Sequence, residues 1–173
     1  LSGARKATRL ALGGWQLAGI LNIRSGSPLT AFVSRNRSRS AWSPSLGPGI
    51  GQDRPNMAPG FTHQSAILGG PDEYFNPAAF QLQPAGFLGN LGRGALIGPN
   101  QRTVDFSLGK LFPVPAMGDT GAIDFRAEAF NLFNRTNFSP PGLTAFAGSA
   151  NTEPVLTSFG RIRSPVTSSR QIQ

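Results

Sequence analysis

Between Ile123 and Ala129 apolar and charged residues alternate without a break. Ile123, Phe125, Ala127 and Ala129 fall on one side of an extended strand, and Asp124, Arg126 and Glu128 on the other. The same period of two runs from Trp15 to Arg24: Trp15, Leu17, Gly19, Leu21 and Ile23 share one face. Gln16, Ala18, Ile20, Asn22 and Arg24 share the other, with Ile20 the one intruder. It returns from Gln101 to Phe112, where Val104, Phe106, Leu108 and Phe112 oppose Thr103, Asp105, Ser107 and Gly109, and Lys110 interrupts the apolar series. A further strand is expected to begin at Arg170. Gly13-Gly14 leads into the first strand and Ser25-Gly-Ser-Pro28 ends it by turn chemistry.

The connections between these strands alternate in length. From Ser25 to about Gln101 the chain is rich in Gly, Pro, Ser and Asn with isolated aromatics, several times longer than the ~12–15 residues usual for a structureless connection in a compact domain. Pro113 to Gly121 is short; Asn134 to Ser169 is long again. Tight turns on one side of a membrane and long loops on the other are the habit of transmembrane β-barrels. The pattern therefore predicts the Pro113 to Gly121 turn in the periplasm and both long tracts outside the cell. Within the first tract Phe75-Asn-Pro-Ala-Ala-Phe80 predicts one helical turn, with Asn76 as cap and Pro77 at the first helical position.

A soluble sandwich also alternates, but its apolar faces must meet a second sheet of equally regular strands, and too few are present to build one. The other home for a strand with one greasy and one charged side is a barrel wall, lipid outside and water inside. Trp15 at a strand entry suits an interfacial girdle; on the pattern alone a core Trp at a strand end fits equally well.

Composition narrows the field. The chain of 173 residues holds 22 glycines and 15 prolines, a poor stock for an ordinary core. No run approaches the ~18 apolar residues of a membrane helix, so only strands could span a bilayer. With no cysteine there are no disulfide staples, no Cys nucleophile and no Cys metal site. The net charge of +8 raises nucleic-acid binding, yet the basic residues are spread along the chain apart from Arg35-Asn-Arg-Ser-Arg39, and no helix-turn-helix, zinc-ligand or RNA-binding signature accompanies them. Arginines facing lipopolysaccharide phosphates account for the same excess.

The candidates for chemistry are few. His63 is the single histidine and reads as a solvated residue, and no Gly-x-Ser-x-Gly elbow occurs. Gly89-Asn-Leu-Gly-Arg-Gly94 lacks the spacing of a phosphate loop and reads as a Gly-rich turn. Asp124, Arg126 and Glu128 lie two apart on one strand face, where Arg126 could bridge both carboxylates. A cation between them holds both ionised and argues against glycoside hydrolysis, which needs one raised pKa. A structural ladder is favoured over direct substrate contact. Asn36-Arg-Ser38 and Asn134-Arg-Thr136 match the acceptor triplet for glycosylation.

Phe125-Arg-Ala-Glu-Ala-Phe-Asn-Leu-Phe-Asn134, followed by Asn137-Phe138, resembles the penultimate-strand motif of TonB-dependent outer-membrane receptors of the Oar-like type, which carry a carboxypeptidase-regulatory-like domain. Other segments are similar to that family in the same order: Gly13-Gly-Trp-Gln-Leu-Ala-Gly-Ile20 with Ser25-Gly-Ser-Pro-Leu-Thr30, Asp53-Arg-Pro-Asn56, Tyr74-Phe-Asn-Pro-Ala-Ala-Phe80, Gly89-Asn-Leu-Gly-Arg93 with Gly98-Pro99, Asp105-Phe-Ser-Leu-Gly-Lys110, and Phe159-Gly-Arg-Ile162 with Arg170-Gln-Ile-Gln173. The family closes on an apolar strand ending in an aromatic residue, which this chain does not show.

The resemblance implies an all-β fold of antiparallel up-and-down strands, residues 1–173 forming the C-terminal portion of a large transmembrane barrel with long irregular external loops. The plug domain, TonB box and final strand are expected to be absent from it. It implies no enzyme and no cofactor, metal or catalytic residue, but the wall and external loops of an outer-membrane receptor that imports a large or scarce solute. Trp15, Leu17, Leu21, Val104, Phe106, Leu108, Ile123 and Phe125 are expected to face lipid, and Asp105, Asp124, Arg126 and Glu128 to form the lumen-facing ladder. Arg35, Arg37, Arg39, Tyr74, Phe75 and Phe80 are the candidate external contacts. The expected partners are outer-membrane lipid and lipopolysaccharide, an unknown solute, and the TonB complex through the missing N-terminal part, with no nucleic acid. The competing reading is a secreted β-rich carbohydrate-binding or adhesion module, non-enzymatic, in which another part of the chain would cover Val104, Phe106 and Phe125.

Overall fold

The computed structural model describes residues 8, 11–40, 52–114, 116, 118 and 121–173. In chain order its strands are β1 (Trp15–Arg24), β2 (Pro28–Leu29), β3 (Phe32–Val33), β4 (Asn56–Met57), β5 (Phe80–Gln81), β6 (Leu96–Ile97), β7 (Gln101–Pro113), β8 (Ala122–Phe130), β9 (Thr144–Phe146) and β10 (Gln171–Ile172). They belong to two compact units. One comprises Leu1–Arg24, Gln101–Thr136 and Thr167–Gln173; the other, Ser25–Asn100 and Asn137–Val166.

The first unit is an open antiparallel sheet in the order β1-β7-β8-β10. Each strand therefore lies beside its successor among the long alternating segments, as expected of an up-and-down barrel wall. β1 matches its sequence-predicted bounds, β7 runs one residue further, and β10 starts one residue beyond Arg170. The register keeps the two faces apart: Leu17 opposes Leu108, which opposes Ala127, while Gln16 opposes Gly109, which opposes Arg126. Because side chains alternate with a period of two, these pairings place every predicted lipid-facing residue on one face and every ladder residue on the other.

Two asparagines end β8. Asn131 and Asn134 both take φ near 50°, a left-handed conformation that asparagine tolerates better than most residues. The Asn131 backbone N–H donates to Asp105 of β7, its side-chain amide donates to the carbonyls of Arg135 and Ser168, and Asn134 accepts from the Arg170 N–H. The Asn-Leu-Phe-Asn motif thus turns the chain off β8 and ties the returning β10 to it.

The second unit adds to an expectation. The long tracts are irregular over most of their described length, as expected, but they pack together around a core of Leu29, Val33, Ala66, Tyr74, Phe75, Phe80, Leu91, Leu96, Phe146 and Phe159. Short ladders hold them, β2 with β6 and β4 with β5 antiparallel, and β3 with β9 parallel. The predicted helical turn is present as a 3-10 turn, Pro77–Ala79, with Asn76 accepting from the Ala78 N–H. Scattered aromatics that look isolated along the chain meet in space: the Phe75 ring stacks on Phe159 at 5.3 Å, and Phe80 meets Phe159 edge-on at 4.9 Å.

Candidate functional site

The apolar face of the sheet is uncovered. Phe106 is 38 % and Phe125 46 % exposed, and Trp15, Leu17, Leu21 and Ile123 are exposed with them. Val104 and Leu108, on the central strand, are half-buried between their neighbours. Among the described residues of this unit, none forms a second layer over the rings whose coverage would have favoured a secreted module.

Lys110 lies on this same face and is nevertheless buried. It sits directly across from Trp15 in the register, with its ammonium 4.5 Å from the Trp15 ring and 4.9 Å from that of Phe112. The ammonium donates to the carbonyl of Ala11 at 2.7 Å, and the Trp15 indole N–H donates to the same oxygen at 3.0 Å. The Trp15 ring meets Phe125 edge-on at 6.4 Å. Aromatic faces attract a cation and the carbonyl supplies its hydrogen bond, so a charge on the apolar side is satisfied at the turn end of the wall. Sequence reading marked Lys110 only as an interruption; the cross-strand partner Trp15 was the signal that explains it.

The polar ladder is arranged differently from expectation. Arg126 lies 3.7 Å from Asp124 and does not bridge both carboxylates. Glu128 instead accepts from the Ser107 hydroxyl and the Gln173 amide, each at 3.4 Å, and Asp105 takes the Asn131 N–H at 2.9 Å. Cross-strand partners reach Glu128, so the charges couple neighbouring strands as well as residues along one. The Asp124 and Arg126 side chains stay more than half exposed, and a cavity of about 360 Å³ opens on this face, lined by Gln16, Ala18, Ser107, Gly109, Asp124 and Arg126 among others.

The second unit reassigns most of the candidate external contacts. Tyr74, Phe75 and Phe80 are core rings, at most 6 % exposed, and have no surface to offer a ligand. The Tyr74 hydroxyl donates to the Ile97 carbonyl at 3.1 Å, and burial pushes its pKa above the usual value. Arg37 is buried too: its guanidinium donates to the carbonyls of Gln83, Gly148 and Ala150, clamping three segments. Arg35 and Arg39 are exposed. Of the basic run only these two remain available to an outside partner.

The other motifs of the tract are structural. Asp53 is buried and accepts from the Ser38 N–H and hydroxyl and from the Gln83 amide. The Met57 N–H donates to Asn90 at 2.7 Å while the Asn90 N–H donates to Asn56 at 2.8 Å, locking Asp53-Arg-Pro-Asn56 to Gly89-Asn-Leu-Gly-Arg93. A Cβ on Gly89 would fall on the Arg54 carbonyl oxygen, so glycine is there for close approach of two backbones; the turn lies at Gly94, φ +63°. Gly160 donates to the Gly142 carbonyl and accepts from the Tyr74 N–H. Partial burial works against the charge of Glu153, but the N–H groups of Gly148, Ala150 and Ser149 and the nearby Arg37 outweigh it and hold its carboxyl below the usual range.

A family model described as an outer membrane beta barrel domain matches residues 1–173. No curated protein and no solved structure matches the chain.

Proposed function

Given that this chain belongs to the outer membrane beta barrel domain family, and so to the outer membrane, we propose that it serves as wall and external body of a TonB-dependent receptor importing a large or scarce solute. The observation that carries the wall assignment is the sheet with one exposed apolar face and one charged face, in strand order β1-β7-β8-β10. What supports a receptor over a plain pore is the second unit. Long loops on one side are common to transmembrane barrels, but here the long connections build a core of their own; the receptor-like motifs at Tyr74, Gly89 and Phe159 supply residues of it, and the one at Asp53 is locked to the Gly89 motif. Sequence of that type is used to keep the body folded, and its exposed Arg35 and Arg39 are the proposed contacts for lipopolysaccharide phosphate or for the solute.

Four strands cannot enclose a lumen, so the barrel of this proposal uses strands beyond these four. In it the wall binds no cofactor and performs no covalent step; energy enters through the TonB complex by a part of the receptor outside this region. Fractionation of cells expressing the full-length protein, followed by solute uptake in the presence and absence of TonB, tests the reading. Outer-membrane recovery with TonB-dependent accumulation is expected. Recovery in the soluble periplasm, or uptake that ignores TonB, sinks it.

A further inference from the structure

A cleft of about 330 Å³ opens on the second unit between the end of β5 and residues 151–155. Both of its walls are held from behind. β5 is paired with β4, and beyond the opposite wall the Leu156 N–H donates to the Ala145 carbonyl of β9. The turn that carries Asn151 and Thr152 is fastened twice: Glu153 accepts from the N–H groups of Gly148, Ser149 and Ala150, and Arg37 donates to the Gly148 and Ala150 carbonyls.

On this fixed frame the side chains of Gln81, Asn151 and Thr152 are exposed, and among the described residues none of the three makes a hydrogen bond. Each offers both a donor and an acceptor. Leu82, Pro154 and Val155 add an apolar lining, Leu82 and Val155 being packed against the core. No described Arg or Lys lines the cleft, although the chain carries 16 such residues. Its one charged residue is Glu153, whose carboxylate already takes three N–H bonds and has room for about one more.

These features select among solutes. A phosphate, sulfate or carboxylate ligand finds no cation here. Peptide capture by strand addition needs a row of free backbone groups, and those of residues 148–150 are taken by Glu153 and Arg37. A neutral sugar matches both halves of the cleft. Each hydroxyl donates and accepts, as the three free side chains do, and the C–H face of a pyranose ring suits Leu82, Pro154 and Val155.

We infer that this cleft binds a short stretch of neutral glycan, with Gln81, Asn151, Thr152 and the remaining acceptor of Glu153 on its hydroxyls. Assigning that glycan as the imported solute rests on the receptor reading above; the cleft itself does not.

The test offers the full-length protein in detergent an array of xylo-, manno-, cello- and malto-hexaose beside an oligogalacturonate and an uncharged hexapeptide. Retention of a neutral hexaose is expected. Asn151→Ala combined with Thr152→Ala, and separately Gln81→Ala, should weaken that binding by about tenfold or more while the resistance of residues 52–100 to proteolysis stays as it is. No retained neutral sugar, retention of the oligogalacturonate or the peptide alone, or sugar binding that these variants leave intact overturns the site. Uptake and fractionation separate the two levels. TonB-dependent uptake of another solute by a protein that retains no sugar leaves the receptor without this site, whereas sugar binding by a protein recovered in the periplasm leaves the site and removes the receptor.

Discussion

At Gly89 and Gly109 the same residue type stands in opposite surroundings. A Cβ at 89 would collide with the Arg54 carbonyl oxygen, whereas a Cβ at 109 has room. Gly89→Ala should therefore cost the second unit about 1–3 kcal/mol, as overpacking does, seen as earlier proteolysis of residues 52–100 in a denaturant series. Gly109→Ala should leave stability unchanged or slightly raised. Glu153 gives a pH dependence of defined sign. Its carboxyl is held below the usual value, so the stability it contributes is present above the ordinary carboxylate pKa of ~4.3 and is lost as the pH falls through the lower folded value. Hydrogen-exchange protection factors of the Gly148, Ser149 and Ala150 amides should fall as the pH drops below the ordinary carboxylate range, and Glu153→Gln should remove that dependence. Neither glycine's surroundings could be read from its neighbours in sequence, because the Arg54 carbonyl and the Gln16 side chain arrive from elsewhere in the chain.

At the scale of elements the long strands were legible and the short ones were not. The strands β1, β7 and β8 are nine or more residues long and carry the period of two over most of that length, and register then follows from keeping grease with grease. The strands of the second unit are two or three residues long, too short for any period, and β3 pairs with β9 from more than a hundred residues away. Phe75 shows what was lost: read along the chain it is an isolated aromatic in a polar tract, and in space it is wholly buried among Tyr74, Phe80 and Phe159. The membrane face makes a prediction of its own. Phe106→Arg, near the centre of the apolar band, should cost about 2–4 kcal/mol on folding into phospholipid vesicles, while Thr103→Arg on the opposite face should cost little. Urea titration of vesicle-folded full-length protein measures both; equal penalties would mean that the two faces see the same medium.

For the molecule as a whole, both long tracts leave and rejoin the sheet at one end, since Arg24 pairs with Gln101 and Phe130 with Gln171, while the short connection joins β7 to β8 at the other. In the outer membrane this sets a sidedness. In intact cells a membrane-impermeant maleimide should label Arg39→Cys and spare Gly118→Cys, with both reacting after permeabilisation. The reverse pattern would invert the wall.

Two-sidedness, strand order and the membrane setting were written into local patterning, because alternation and turn chemistry act between residues a few positions apart. The folded nature of the connecting tracts, the burial of Arg37, the split of the charged ladder and the room at Gly109 were not. Each depends on which distant segments come into contact, and contact between residues far apart in the chain leaves no period for a sequence to display.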